Sequence, residues 1–425
     1  MARVKDLWFK TVTDSDGALH RERTARHGKG KRWLAVWTNL EGREQTKAFA
    51  KKTEAEKHGS MMEADKARGN YVDPNGGKTL LSALVEGEDG WLASLEADPS
   101  TRQIYERYWR VHVKPKFGNR EIGSIRPSEI RSWVQHLTKS LAKSTARLVL
   151  RFLEHLLNSA VDDGLIAKNP CAAKSVTKPK ALKKRIQPWP TERVLSMIGE
   201  LPDRYAIMVI LGAGCGLRQG EIFGLAVDDV DFGGGVVHVR QQVKLIEGKQ
   251  LFGLPKHDRE RTVPLPDSVA AALQDYLARF PACEITLPWE ELTGEPRTLR
   301  LVLTSRVPKA FNRNYINRFI WKPALERLGV IAKDRPTRKL TGRSNQTARE
   351  HGMHALRHYY ASVLLDAGES IKALAEYLGH SDPGYTLRTY THLMSGSDGR
   401  TRKVIDAALG SEDRETGTEP EQAAP

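Results

Sequence analysis

Apolar residues recur at two different periods along this chain, and the change from one to the other marks its first boundary. Between about residues 5 and 50 the pattern alternates. Leu7-Trp8-Phe9-Lys10-Thr11-Val12 and Arg32-Trp33-Leu34-Ala35-Val36-Trp37-Thr38 are short runs rich in aromatic and β-branched residues, and Asp16-Gly17 and Glu41-Gly42 are turn signals beside them. Three small strands are predicted. Thr53 is placed to cap a polar helix through about Arg68, stopped by Gly69-Asn70, which completes a strand-strand-strand-helix module of about 70 residues.

From Leu80 to about Cys171 the period becomes helical. Leu81, Leu84 and Val85 share a face, as do Tyr105, Tyr108, Trp109 and His112, and later Trp133, Leu137 and Leu141. Ser144 to Ala160 carries Leu148, Phe152 and Leu156 at a spacing of four, so a bundle of four or five helices is predicted. Lys168 to Gln187 then holds seven basic residues and no acidic one, with Pro170 and Pro179 preventing a continuous helix. This reads as a basic linker with a domain boundary near residue 182.

Beyond it, Thr191 is placed to cap a helix through Met197, and Asp203 to Leu211 is almost wholly apolar and therefore a buried helix. Closely spaced glycines, Gly212, Gly214 and Gly216, allow a tight turn that leaves Arg218 at the opening of the next helix. Val236 to Arg240, Lys249 to Phe252 and Arg261 to Leu265 read as a small antiparallel sheet, with Lys256 and His257 in the loop between its second and third strands. In a helix from His354 to Asp366, positions 354, 357 and 358 lie on one face, while Leu356, Tyr360, Val363 and Leu364 cover the other. A helix with Ile371, Leu374, Ala375 and Leu378 as its stripe ends at Gly379, a C-cap glycine, and His380 follows at once. Asp382-Pro383-Gly384-Tyr385 makes a turn before a short helix from Thr386 to His392.

The formal net charge of +15 over 425 residues points to a polyanionic partner, because lysine and arginine release counterions from a phosphate backbone. Three cysteines at unpatterned spacing, Cys171, Cys215 and Cys283, suit a reducing compartment better than a disulfide framework. There is no apolar leader and no uninterrupted apolar run of about 18 residues, so the expected location is cytoplasmic, without a membrane.

Four segments carry candidate chemistry: Gly216-Leu217-Arg218-Gln219-Gly220-Glu221, His354-Ala355-Leu356-Arg357-His358, Leu378-Gly379-His380 and Thr389-Tyr390-Thr391-His392. His354 and His358 at i and i+4 have the spacing of a zinc pair, but no Glu-x-x stands between them and no acidic third ligand accompanies them. Two arginines, histidines and a tyrosine instead suit attack on a DNA phosphate. The four segments resemble the catalytic boxes of the tyrosine recombinases, the phage-integrase family of site-specific DNA-joining enzymes. In the commonest form of that family nine residues separate the last two boxes, whereas His380 and Tyr390 are ten apart.

The resemblance implies a multidomain, mainly α architecture: a small α+β N-terminal module, a helical core-binding bundle and a mixed α/β catalytic domain of tyrosine-recombinase type. Applied to this chain, it implies an arm-type DNA-binding module at 1–75, a SAM-like core-binding domain at 78–172, a basic linker at 173–187, a catalytic domain at 188–396 and a partly disordered tail at 397–425. Arg21, Arg23, Arg26, Lys29, Lys31 and Arg32 become candidate phosphate contacts of the first module, Arg126, Lys139, Lys143 and Arg147 of the second, and Lys183, Lys184 and Arg185 of the linker. Val404, Ile405 and Leu409 become a stripe for a neighbouring protomer or for packing within the chain.

For the site, the resemblance implies Tyr390 as nucleophile rather than Tyr385, His354 as the base that takes its proton, and Arg218 and Arg357 as forked donors to the phosphate. His380 would add a further hydrogen bond, Lys256 would protonate the departing 5′ oxygen, and Glu221 would orient neighbouring cations. No cofactor, divalent metal or ATP is expected, since the bond energy is kept in a 3′-phosphotyrosine. The implied partners are double-stranded DNA attachment sites and a homotetramer on DNA, with a DNA-bending host factor and an excisionase as accessories. Integration is favoured by the arm module. An excision or resolution enzyme of the same chemistry, a type IB topoisomerase and a non-catalytic DNA-binding regulator are the alternatives.

Overall fold

The computed structural model describes residues 2–14, 17–39, 42–69, 71–73, 75–181, 186–332 and 350–390, with residues 402, 405, 406 and 409 beyond them. The chain divides into two units, Met1–Leu182 and Lys183–Pro425. His392, Val404 and the linker cations Lys183, Lys184 and Arg185 lie outside the described residues.

The first unit opens with β1 (Arg3–Asp6), β2 (Phe9–Thr13), β3 (Leu19–Arg23), β4 (Trp33–Thr38) and β5 (Glu44–Phe49). Strands β1, β4 and β5 form one antiparallel sheet, and β2 and β3 a separate hairpin. Five strands thus replace the three predicted, because β1, β3 and β5 are largely polar and lie outside the apolar runs that mark β2 and β4. The Asp6 carboxylate accepts the backbone N–H groups of Trp8 and Phe9 at 3.0 and 3.3 Å and turns the chain between β1 and β2. The same carboxylate holds Arg32 and Arg21, each at 2.8 Å, so these two are paired cations while Arg23 and Arg26 are exposed. Helix α1 (Lys52–Ala67) covers the sheet with Ala55 and Met62. Its cap position is Lys51 and not Thr53, and no side chain caps it.

The bundle consists of α2 (Leu81–Val85), α3 (Pro99–Tyr108), α4 (Lys114–Phe117), α5 (Pro127–Ser140) and α6 (Lys143–Asp162). A π-helical turn, Trp109–Val113, joins α3 to α4. Leu148 is half exposed, against expectation, because the buried face of α6 runs through Ala146, Val149, Leu153, Leu156 and Ala160. Steps of four gain on a period of 3.6, so Phe152 and Leu156 fall on the buried stripe while Leu148, at the start of the series, lies off its edge. Arg126, Lys139, Lys143 and Arg147 are all exposed.

The second unit has one large core. It contains α7 (Thr191–Glu200), α8 (Asp203–Gly214) and α9 (Gln219–Phe223), then β6 (Val230–Asp231), β7 (Val236–Val239), β8 (Gln242–Ile246), β9 (Lys249–Gly253) and β10 (Arg261–Pro264). After α10 (Asp267–Arg279) come the hairpin of β11 (Cys283–Pro288) and β12 (Pro296–Leu301), then α11 (Arg313–Tyr315) and α12 (Lys322–Arg327), and finally α13 (His354–Asp366), α14 (Ile371–Leu378) and α15 (Pro383–Tyr390). Pro190, not Thr191, occupies the cap position of α7, and the Thr191 hydroxyl lies 3.3 Å from that of Tyr359.

The single sheet read from the sequence is two. Glu247 and Gly248 both take positive φ, 50° and 80°, the requirement of a tight hairpin, so β9 folds back on β8 while β10 joins β7 and β6. Helices α8 and α13 meet at Gly212, where an added Cβ would stand 2.8 Å from Leu356. Val363, expected in the core, is 45 % exposed. No helix of the described residues is long and apolar enough to cross a membrane.

Candidate active site

Arg218 is positioned by the turn that ends α8. Gly216 takes φ +62°, and a Cβ there would reach within 2.5 Å of the Tyr360 ring, so this close reversal requires glycine. Arg218 then occupies the cap position of α9. Its backbone N–H donates to one Glu221 oxygen at 2.8 Å and its Nη1 to the other at 2.7 Å, while Nη2 donates to the Leu378 carbonyl at 3.2 Å.

Glu221 has a second partner on β10. Arg261 grips both its oxygens, at 2.9 and 2.7 Å, and donates through Nε to the Tyr377 carbonyl at 2.7 Å. Burial alone would raise the Glu221 carboxyl, but the Arg261 hydrogen bonds, with the charges of Arg261, Arg218 and Arg357, hold it down at about 2. The pair ties α9, β10 and the end of α14 together. Glu221→Gln is therefore expected to lower unfolding stability by about 3–5 kcal/mol, since it leaves Arg261 buried without its counter-charge, and denaturant titration of the full chain measures it.

Arg357 projects from α13 and is 1 % exposed. Its Nη1 donates to the Gly216 carbonyl at 2.8 Å, and its Nη2 donates to the Leu378 carbonyl, the same oxygen that accepts from Arg218. Two guanidinium groups therefore converge on one oxygen. Burial, followed by the neighbouring Arg218 charge, pulls Arg357 down to about 9.

One turn along α13, His358 places Nδ1 2.7 Å from the Tyr390 hydroxyl, which α15 delivers from the other side. Tyr390 is 1 % exposed, and its burial pushes the phenol up to about 12 against the opposing charges of Arg357 and Arg218. The histidine that meets this hydroxyl is thus His358, in place of the His354 expected from the sequence. The two imidazoles meet edge to face along the helix with centroids 4.6 Å apart, and α15 passes beside His358. His354 is the more exposed of the two.

His380 follows Gly379, whose φ of +60° closes α14. Thr386, fully buried on α15, fixes the ring through Nδ1 at 2.7 Å, and Nε2 faces Arg357 Nη2 at 3.4 Å. Tyr385 lies in the first turn of α15, not in a turn ahead of it. It is 52 % exposed, with its ring against His380 at 4.9 Å.

Lys256 stands exposed on the loop between β9 and β10, strands of different sheets. The loop is fastened to the His380 segment: Arg259 donates to the His380 carbonyl at 3.0 Å and Arg261 to that of Tyr377. His257 and Asp258 take positive φ, 67° and 52°, at the loop's tip.

Burial lowers all three histidines, His354 to about 4 and His358 and His380 to about 3. After burial come the charges of Arg357, Arg218, His380 and Lys256 for His354, which acts despite its exposure; His354 and Arg357 for His358; and Arg357, Arg218 and Arg261 first for His380. These folded values lie below the unperturbed value of about 6.5, so between the two the unfolded chain binds protons that the folded chain refuses. The stability gained by keeping the rings neutral is complete above pH about 6.5 and is lost as pH falls through the folded values. Thermal melting should fall steadily between pH 7 and 5, and less steeply in His358→Asn.

Arg218, His354, Arg357, His380 and Tyr390 thus come together, with Lys256 on a tethered loop at their side. His358, Thr386 and Arg261 were not assigned to the site from sequence. His358 had a signal, its place on the same face as Arg357. Thr386 and Arg261 had none, because their roles follow from contacts between distant segments.

The model named Phage integrase family matches residues 190–396, and that named Phage integrase, N-terminal SAM-like domain matches residues 90–138. A tyrosine recombinase XerC-like protein of Caldanaerobacter subterraneus subsp. tengcongensis is 27% identical over 313 residues, 70% of this chain and 75% of that one. A prophage phiRv2 integrase of Mycobacterium tuberculosis is 26% identical over 372 residues, 86% of this chain and 90% of that one. Among solved structures, a lambda integrase dimer bound to a core site is similar with a TM-score of 0.55 at 14% identity, covering 92% of this chain and 95% of that one. The lambda integrase tetramer bound to a Holliday junction gives a TM-score of 0.52 at 14% identity, over 82% of this chain and 94% of that one. These two likenesses show a shared fold.

Proposed function

We propose, from the premise that this chain belongs to the phage integrase family, that it breaks and rejoins DNA at specific sites through a 3′-phosphotyrosyl link to Tyr390. The observation that carries this reading is the convergence of Arg218 and Arg357 on the Leu378 carbonyl, beside a tyrosine hydrogen-bonded to a histidine. Two like charges held this close favour an anionic ligand. A phosphodiester whose non-bridging oxygens take the place of that carbonyl receives both forks, and its charge grows as the pentacoordinate species forms.

Tyr390 attacks phosphorus, one of the two α13 histidines receives its proton, and Lys256 protonates the 5′ oxygen as it leaves. His380, oriented by Thr386, contacts the same phosphate. The reverse sequence, with a 5′ hydroxyl from another strand as nucleophile, joins the exchanged ends. Integration of a mobile element is the net reaction, carried out by four copies on two attachment sites, as the lambda integrase tetramer on a Holliday junction suggests. Residues 1–75 bind arm sites and residues 78–172 the core site, in a cytoplasmic, nucleoid-associated protein helped by a DNA-bending factor and an excisionase.

The test is capture on DNA. The chain is incubated in EDTA with nicked duplexes of random sequence, and DNA that stays attached to protein through denaturation is recovered and sequenced. A shared motif in the captured strands is the expected result. Capture without a motif would point to a topoisomerase, and binding without capture to a regulator.

A further inference from the structure

We propose that His358, and not His354, is the base that takes the phenolic proton of Tyr390; this rests on the reading of Tyr390 as nucleophile. The geometry carries it. His358 Nδ1 lies 2.7 Å from the Tyr390 oxygen, a hydrogen-bond distance, with the two rings 5.7 Å apart. His354 shares its face of α13 one turn earlier, its ring edge to face with that of His358 at 4.6 Å, and no hydrogen bond from it to Tyr390 is seen. Both partners of the 2.7 Å contact are inside the domain, Tyr390 fully and His358 in large part, so bulk water does not compete for the proton.

The charged and titratable groups around His358 keep its ring uncharged, and its role as base rests on position alone. His354 and Arg357 face it from α13, Tyr390 from α15, and His380 from the segment between α14 and α15. Among the described residues, no carboxylate is one of the groups that act on it. The ring is therefore neutral before reaction and can accept. In the step, the bond from Tyr390 oxygen to phosphorus forms, the bond from phosphorus to the 5′ oxygen breaks, and the phenolic proton passes to His358 Nδ1. The 5′ oxygen takes a proton from Lys256, so atoms and charge balance, and the imidazolium returns its proton when the strand is rejoined. His354, edge to face with His358, is a positioning residue that holds the His358 ring in place.

Adduct formation on a captured nicked duplex, measured between pH 6 and 10, separates the two histidines. His358→Ala should cleave at least a hundredfold more slowly near pH 7.5, gain about tenfold in rate per pH unit as hydroxide takes over, and recover at least tenfold on addition of imidazole. His358→Asn, which keeps a polar group at the position but has no basic nitrogen, should share the pH dependence without the rescue. His354→Ala should be slower but keep the wild-type pH profile and ignore imidazole. The proposal falls if His358→Asn keeps the wild-type rate and profile, or if imidazole rescues His354→Ala instead. Should His358→Ala fail to fold, the rate and pH profile of His358→Asn decide between the two histidines. Wild type that forms no adduct overturns the Tyr390 reading itself, a result distinct from either histidine outcome.

Discussion

Tyr390→Phe should eliminate covalent protein–DNA product, a loss on the order of a millionfold, as when a covalent nucleophile is removed from other enzymes. Site binding should survive within a few-fold. The substitution removes one buried oxygen and leaves His358 Nδ1 without its partner, a loss of about 1 kcal/mol that a domain with this core tolerates. The phenyl ring still fills the same space between α13 and α15. Electrophoretic mobility and denaturing gels run side by side read the two effects: binding retained, attachment gone. Attachment surviving in the variant would move the nucleophile elsewhere, and exposed Tyr385, beside His380, is the first place to look.

Arg357→Lys should lower the cleavage rate by about a thousandfold, although the charge is kept. Arg357 reaches two carbonyls on different segments, those of Gly216 and Leu378, with the fixed fork of a guanidinium. A lysine ammonium is a point charge and cannot span both while also turning two parallel N–H groups toward a phosphate. Its compact charge is also more costly to bury among Arg218 and Arg261. Arg218→Lys should show a loss of similar size, with less effect on folding, because Arg218 is partly open while Arg357 is fully enclosed. Single-turnover cleavage on a nicked duplex measures both, and circular dichroism checks that the variants fold. A loss of less than tenfold in each would mean that the two guanidinium groups do not carry the phosphate.

Local chemistry made much of this legible in the sequence. Glycine at 216 and 379 announced the reversals that present Arg218 and His380, and both take the positive φ that only glycine adopts freely. The helix carrying His354, Arg357 and His358 was readable from its period, since residues three and four apart must share a face. What could not be read were contacts between segments far apart in the chain. Arg261 was readable as the first residue of a strand, but its grip on Glu221, 40 residues away, follows from where β10 lies. His354 and His358 are indistinguishable by spacing; only the path of α15 decides which one meets Tyr390. Strand partners failed for a local reason: Gln242–Ile246 was not read as a strand, and the turn at Glu247-Gly248 folds β9 back on it, leaving β10 to join β7.

Mapping the covalent bond probes the proposed chemistry at its centre. Wild-type protein is trapped on a nicked duplex in EDTA, digested with protease and nuclease, and the nucleotide-bearing peptide is sequenced by mass spectrometry. A single modified residue is expected, Tyr390, linked to a 3′ phosphate. A nucleotide on Tyr385 or on any serine, or a link to a 5′ phosphate, would contradict tyrosine attack from position 390.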